Sequence, residues 1–195
     1  MTTTTKEGVL AAAKQALIES GYAQLSTRRI AEMAGVPLSQ IHYHFGSKQN
    51  LVLEVLAEEN RRLLDRQSAM YSSDQSLSRQ WEQACDYLDD DLDSGYVRVL
   101  QEMMAAGWSD PEIAVAVRSY LDGWFTLLRS VAATAMEGIG TTAVLESEHL
   151  GALVGAAFLG AEALMLLGFR DNLMRTALRS VSDVIARMEG QVDEG

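Results

Sequence analysis

Residues 35–51 read GVPLSQIHYHFGSKQNL, and two of the chain's three histidines stand there two positions apart, as His42 and His44. An imidazole can ligate a metal, move a proton or meet a phosphate. The spacing separates these uses. On a helix, residues two apart point about 200° from each other, whereas ligand pairs sit four apart on one face. The pair is therefore a poor chelate, and no metal site is expected. His44 divides between packing and a phosphate contact. The same window holds Ser39, Gln40, Tyr43 and Lys48, hydrogen-bonding side chains that suit a surface made to touch a partner.

Other constellations carry less. Asp89-Asp90-Asp91-Leu92-Asp93 suggests a calcium loop, but such a loop would need glycine at Ser94 and glutamate at Leu100, so a solvated helix end is expected. No Ser/His/Asp set, phosphate-cradling glycine loop or metal-spaced His/Cys cluster occurs, so neither an enzyme nor a cofactor is expected. The single cysteine, Cys85, excludes an intramolecular disulfide and reads as a small apolar filler. The start MTTTTKEG lacks the pattern of a signal peptide, and a cytoplasmic protein is expected.

Charge divides the chain. The net of −11 looks wrong for a protein that meets nucleic acid. Yet residues 1–50 carry five basic side chains against three acids, a net of +2, and the other 145 carry 11 against 24, a net of −13. Such asymmetry points to two functional regions.

The elements that would position the 35–51 window follow from periodicity. Val9, Leu10, Ala13, Ala16 and Leu17 give one apolar helical face over about Lys6 to Ser20, with Gly21 as a left-handed stop. Ser26 caps a short second helix carrying Ile30 and Ala31, and Gly35 closes it. Pro37 opens a third over about Leu38 to Phe45, ended by Gly46. Two short helices joined by a turn of about four residues with a glycine make a helix-turn-helix. Ile41 and Phe45 share an inward face, leaving Leu38, Ser39, Gln40, His42 and Tyr43 outward. Further helices are expected at about 75–92, 96–106, from Pro111 to Gly138, 143–168 and 171–188, so the class is all-α.

The run VLAAAKQALIESGYAQLSTRRIAEMAGVPLSQIHYHFGSKQNLVLEVL, residues 9–56, closely resembles the N-terminal DNA-binding domain of the tetracycline-repressor (TetR) family. The features that carry it are the helix ending S-G-Y, L-S-T-R-R-I-A-E-x-A-G-V, I-H-Y-H-F, and G-S-K before a leucine-rich helix. The resemblance implies about nine helices, a homodimer, and a repressor released from its operator by a ligand. It implies DNA contacts from Thr27, Arg28, Pro37, Leu38, Ser39, Gln40, His42, Tyr43, His44 and Lys48. Physical chemistry agrees for several: the Arg28 fork suits guanine, Gln40 can take adenine bidentately, and Lys48 beside the Ser47 helix start suits a phosphate. Pro37, Leu38 and His42 depart from the residues common at these positions, so no relative's operator transfers to this chain.

The DNA-binding domain is expected over residues 1–50, the fourth helix linking it through 47–69 to an effector-binding and dimerisation domain over 70–195. There the resemblance rests on helix number, length and order. Leu150 to Phe169 carries one charge, Glu162, and is long enough to span a bilayer. Its Gly151-x-x-x-Gly155 equally suits close helix packing, and the resemblance makes it part of a dimer interface formed by the last two helices; no membrane is expected. Met103, Trp108, Tyr120, Trp124, Phe125 and Phe158, with Met104 and Met165, are expected to line a pocket for an apolar effector, against plain core as the alternative. Asp122, His149 and Glu162 are its candidate polar anchors. The function expected is a ligand-responsive regulator binding double-stranded operator DNA. The rival is a sensor of the same architecture that binds no specific DNA.

Overall fold

The computed structural model describes residues 5–139 and 145–193. The described residues form nine helices and no strand: α1 (Thr5–Gln24), α2 (Thr27–Ala34), α3 (Leu38–Phe45), α4 (Lys48–Tyr71), α5 (Leu77–Asp93), α6 (Tyr96–Gly107), α7 (Pro111–Ile139), α8 (Ser147–Leu166) and α9 (Asp171–Asp193). They group into two compact units, residues 1–63 with 95–120 and residues 64–94 with 121–195. The division thus falls inside α4 and again inside α7.

In the first unit, α1 presents Val9, Ala13, Ala16 and Leu17, all buried, along one face. Gly21 interrupts it at φ 73°, ψ 167°, an extended backbone of positive φ rather than the left-handed helical turn expected there. The chain resumes helix to Gln24. Two anchors fix α1, one near this end and one at its middle. The Tyr22 backbone N–H donates to the Glu102 carboxylate of α6, and Lys14 Nζ meets Glu59 of α4 at 2.7 Å. The Ser26 side chain accepts from the Arg29 N–H at 3.2 Å and so starts α2, while Gly35 ends it in left-handed conformation at φ 65°, ψ 31°. Such a cap satisfies backbone groups the helix cannot pair itself. Ile30 and Ile41 are fully buried and Ala31 and Phe45 nearly so. Burying each large side chain of this kind stabilises the unit by roughly 1.5–3 kcal/mol.

In the second unit α5 packs along α9. The Asp89-to-Asp93 run, expected as a solvated helix end, is exposed at Asp90 and Asp93 and ion-paired at Asp89 and Asp91. Arg179 reaches Asp86 and Asp89 at 2.7 Å each, Arg175 pairs with Asp89, and Arg66 with Asp91. The α9 partners lie 86 to 93 positions away in sequence and Arg66 lies 25 away, distances that local pattern cannot show. Trp81 Nε1 donates to the Leu178 carbonyl at 2.7 Å, and Glu189 of α9 accepts the Leu77 N–H at 2.6 Å, capping α5 from afar. Gly151 and Gly155 of α8 face α7: an added Cβ would lie 2.8 Å from the Arg129 nitrogen and 2.6 Å from the Phe125 ring. α8 is long and apolar enough to cross a membrane, with mean hydropathy 1.6 in its most apolar window. The start expected near Ala143 falls outside the described residues, among which α8 begins at Ser147.

Candidate nucleic-acid interface and effector cavity

The α2–turn–α3 segment is anchored on one side only. Ile30, Ala31, Ile41 and Phe45 close the inner face, and Ser39, Gln40, His42, Tyr43 and His44 are exposed on the other. Tyr43 is 82% exposed, a high exposure for an aromatic side chain. Thr27, Leu38 and Lys48 are half-buried; Arg28 and Pro37 are exposed. All ten residues expected to meet DNA lie on α2, α3, the turn before α3 or the first position of α4.

Hydrogen bonding distinguishes the side chains further. Arg29 is engaged by Glu19 at 2.7 Å, and the Glu19 carboxyl is held below its ordinary range by hydrogen bonds from Gln15 and Arg29. Arg28, beside it, makes no ion pair or hydrogen bond among the described residues, and neither do the Gln40 amide or the Tyr43 hydroxyl. These are polar groups presented to solvent in fixed positions and free to bind something else. His42 Nδ1 lies 3.4 Å from the Gly46 carbonyl, and the His44 ring meets Tyr43 edge-on at 5.0 Å. Lys48 Nζ donates to the Tyr22 carbonyl at 3.1 Å and lies 4.5 Å from the centre of that ring. Tyr22 and Glu102, which hold Lys48 in place from α1 and α6, were not legible as site residues; their signal is tertiary.

In the second unit a cavity of about 530 Å³ is walled by apolar side chains of α4, α5, α7, α8 and α9, among them Trp81, Leu128, Val131, Val154, Val181 and Ile185. A polar cleft of about 870 Å³ adjoins it, the two sharing Tyr71, Leu77, Val131 and Ala135. None of the six residues expected to line an effector pocket is among the walls of either. Met103 is fully buried and Tyr120 donates its hydroxyl to the Leu53 carbonyl at 3.3 Å, both within the first unit. Trp108 is the C-cap residue of α6, beyond its last helical turn, and stands 84% exposed. Trp124 is tied to Gln67 Oε1 at 3.0 Å with Phe125 edge-on to it at 5.5 Å, and Phe158 backs Trp81 edge-on at 5.5 Å. Met104 is half-buried and Met165 buried; Asp122 and His149 are exposed and Glu162 is buried. The walls of these two spaces appear in the sequence as apolar stripes, among them Leu77–Trp81 on α5 and Leu127–Leu128–Val131 on α7. Among the described residues no group of three metal-ligating side chains gathers.

Two short helices packed through one apolar face, with a hydrogen-bonding face turned outward, have helix-turn-helix geometry. Residues 9–55 match the family of bacterial regulatory proteins named for tetR. That match covers these residues alone, so it is this stretch that is similar to the DNA-binding domain of the tetR family. Solved structures agree over nearly the whole chain. The regulator FadR from Bacillus subtilis, in complex with stearoyl-CoA, has a TM-score of 0.77 at 14% identity, covering 91% of this chain and 96% of its own. A TetR transcriptional regulator from Legionella pneumophila has a TM-score of 0.76 at 21% identity, covering 93% and 97%. A regulator from Saccharomonospora viridis in complex with choline has a TM-score of 0.76 at 22% identity, covering 90% and 93%. At such identities the likeness is one of fold. No curated protein matches the chain.

Proposed function

We propose that the protein is a homodimeric transcriptional repressor that leaves a palindromic operator when a small, largely apolar molecule binds its second unit. One observation carries the DNA-binding part. Arg28, Gln40 and Tyr43 stand exposed and, among the described residues, their side-chain polar groups have no bonding partner, on helices pinned from behind by Ile30, Ile41 and Phe45. Arg28 and Gln40 have the geometry for guanine and adenine edges, and Lys48 stands at a helix start where a phosphate is favoured. Pro37, Leu38, Ser39, Thr27, His42 and His44 complete the contact surface. Leu38 offers a thymine methyl an apolar contact and no hydrogen bond.

A second copy is the partner for the face formed by α8 and α9. Leu153, Leu167, Leu173, Val184 and Met188 are exposed there, beside the small Ala152, Ala156, Ala157 and Gly160. Apolar side chains repeated along two helices and left in water are what an isologous interface would cover. Two copies would set their α3 helices about 34 Å apart, one turn of DNA, or a multiple of that. The acidic remainder repels the duplex elsewhere and limits misdirected docking.

Release requires that the effector bind two conformers unequally. The 530 Å³ cavity lies within the roughly 300–1,000 Å³ usual for small-molecule sites. The stearoyl-CoA and choline bound by two structural relatives support a small-molecule effector in general and name none for this chain. Footprinting on the DNA flanking the gene is the test. A protected palindrome with salt-sensitive, saturable binding is expected; the absence of any such site would leave a sensor that does not read DNA.

A further inference from the structure

The cavity and the cleft beside it differ in chemistry, and the difference specifies a ligand. The cavity of about 530 Å³ is apolar throughout except at Tyr71, which also lines the cleft. The cleft is lined by Ser68, Ser72, Ser73, Gln75, Ser76, Gln80, Ser130 and Thr134, and Glu189 is the sole charged side chain in its wall. Among the described residues no lysine or arginine lines either space.

Many donors in the cleft are already committed. Ser72 Oγ donates to the Ser68 carbonyl at 2.8 Å, Ser73 Oγ to the Met70 carbonyl at 2.6 Å and Thr134 Oγ1 to the Ser130 carbonyl at 3.3 Å. The Gln80 amide donates to the Ser73 carbonyl at 3.2 Å. What these hydroxyls still offer a ligand is mainly lone pairs. Glu189, which accepts from the Leu77 N–H and the Ser78 hydroxyl at 2.6 Å each, adds more acceptor and a negative charge. An anionic head group would meet the like charge of Glu189 with no lysine or arginine in the described wall to offset it. The Tyr71 hydroxyl, at the junction, makes no hydrogen bond among the described residues. Burial pushes it up to about 12, so it stays protonated and able to donate. A ligand group placed there should therefore both donate and accept, as an alcohol does and an ammonium or a carboxylate does not.

We infer that the effector site takes an uncharged amphiphile, an alkyl chain in the apolar cavity with a hydroxyl-bearing head in the serine-lined cleft against Tyr71. The inference rests on the reading of this unit as effector-binding, and it narrows that reading to one chemical class.

Isothermal titration of the DNA-free full chain, below the micellar range, compares three probes sharing one chain length: monolauroylglycerol, dodecylamine and dodecanoate. Monolauroylglycerol is expected to bind at least tenfold more tightly than either charged probe. Tyr71→Phe and Thr134→Val, which keep shape and remove hydrogen-bonding groups, are expected to erode that preference severalfold without lowering the melting temperature. Equal or tighter binding of dodecanoate or dodecylamine overturns the inference, as does a preference untouched by both substitutions. Failure of all three probes to bind overturns it too, while a footprinted operator would still stand. Tight monolauroylglycerol binding with no operator would instead remove the repressor reading and keep the ligand class.

Discussion

Lys48 Nζ donates to the backbone carbonyl of Tyr22 at 3.1 Å and sits 4.5 Å from the centre of the Tyr22 ring. The same residue's N–H is held by Glu102. Tyr22 of α1 thus accepts a hydrogen bond from the α4 ammonium through its carbonyl and donates one to the α6 carboxylate through its N–H. The lysine is held within its own chain, an arrangement that would lower the entropy cost of the proposed phosphate contact.

Lys48→Met should weaken operator binding by a similar factor on every sequence tried. A lysine that neutralises one phosphate contributes about one unit to the dependence of log affinity on log salt. Fluorescence anisotropy over a salt series should show the slope reduced by about that amount. An unchanged slope would mean the ammonium never leaves Tyr22.

Arg28 and Arg29 are neighbours with different freedom. Arg29 is paired with Glu19 at 2.7 Å, and Arg28 has no such partner among the described residues. A bidentate base contact is worth about 1–3 kcal/mol of discrimination. Arg28→Ala is therefore expected to cost tenfold or more in affinity for the specific operator and to flatten preference at one base pair. Arg29→Ala should cost much less, measured by the same titration against point-substituted operators.

The exposed apolar stripe of α8 and α9 predicts a change in mass. Replacing Leu153 and Val184 together by glutamate places two charges on a face that a second copy would have to dehydrate. Light scattering behind a sizing column should read a dimer for the unaltered chain and a monomer for the double variant, with helical circular dichroism retained. A dimer of unaltered strength would place the interface elsewhere.

Cys85 should be a quiet thiol. It is 3% exposed, and burial pushes its thiol up to about 11. The thiolate is the reactive form, so alkylation of the folded chain near neutral pH should be far slower than after unfolding. The raised value also fixes the sign of a stability effect. Below the ordinary thiol value both states keep the proton and the contribution is complete; as pH climbs from there through about 11, the unfolded chain loses its proton first and stability falls. Tyr71, pushed up to about 12, extends the decline in the same direction. Denaturation midpoints across alkaline pH should fall less steeply for Cys85→Ala.

Local signals carried most of the head. Ser26, Gly35, Pro37 and Gly46 mark helix ends by chemistry that acts within four residues, and Ile41 with Phe45 marks the inward face. What the sequence did not disclose depended on residues far apart along the chain. The Asp89 run looks solvated until Arg175 and Arg179 come alongside from α9. Tyr22 looks like the tail of a helix until Lys48 and Glu102 bracket it. The same limit applies to the cavity. Trp108, Trp124 and Trp81 are alike as letters, but the first caps a helix in solvent, the second bonds to Gln67, and only Trp81 borders the empty space. An apolar stripe says that a side chain faces inward, not whether the interior is filled there.

Gly151 and Gly155 bring α8 against α7 so closely that the Arg129 backbone and the Phe125 ring occupy the places two side chains would take. Successive helical residues are set 100° apart, so rolling α8 by a single position would drive Ala152 and Ala156 into those same atoms. The helix is keyed like a shaft in a slot. The heading of Leu153, and of whatever assembles upon it, is decided by two atoms that this chain does without.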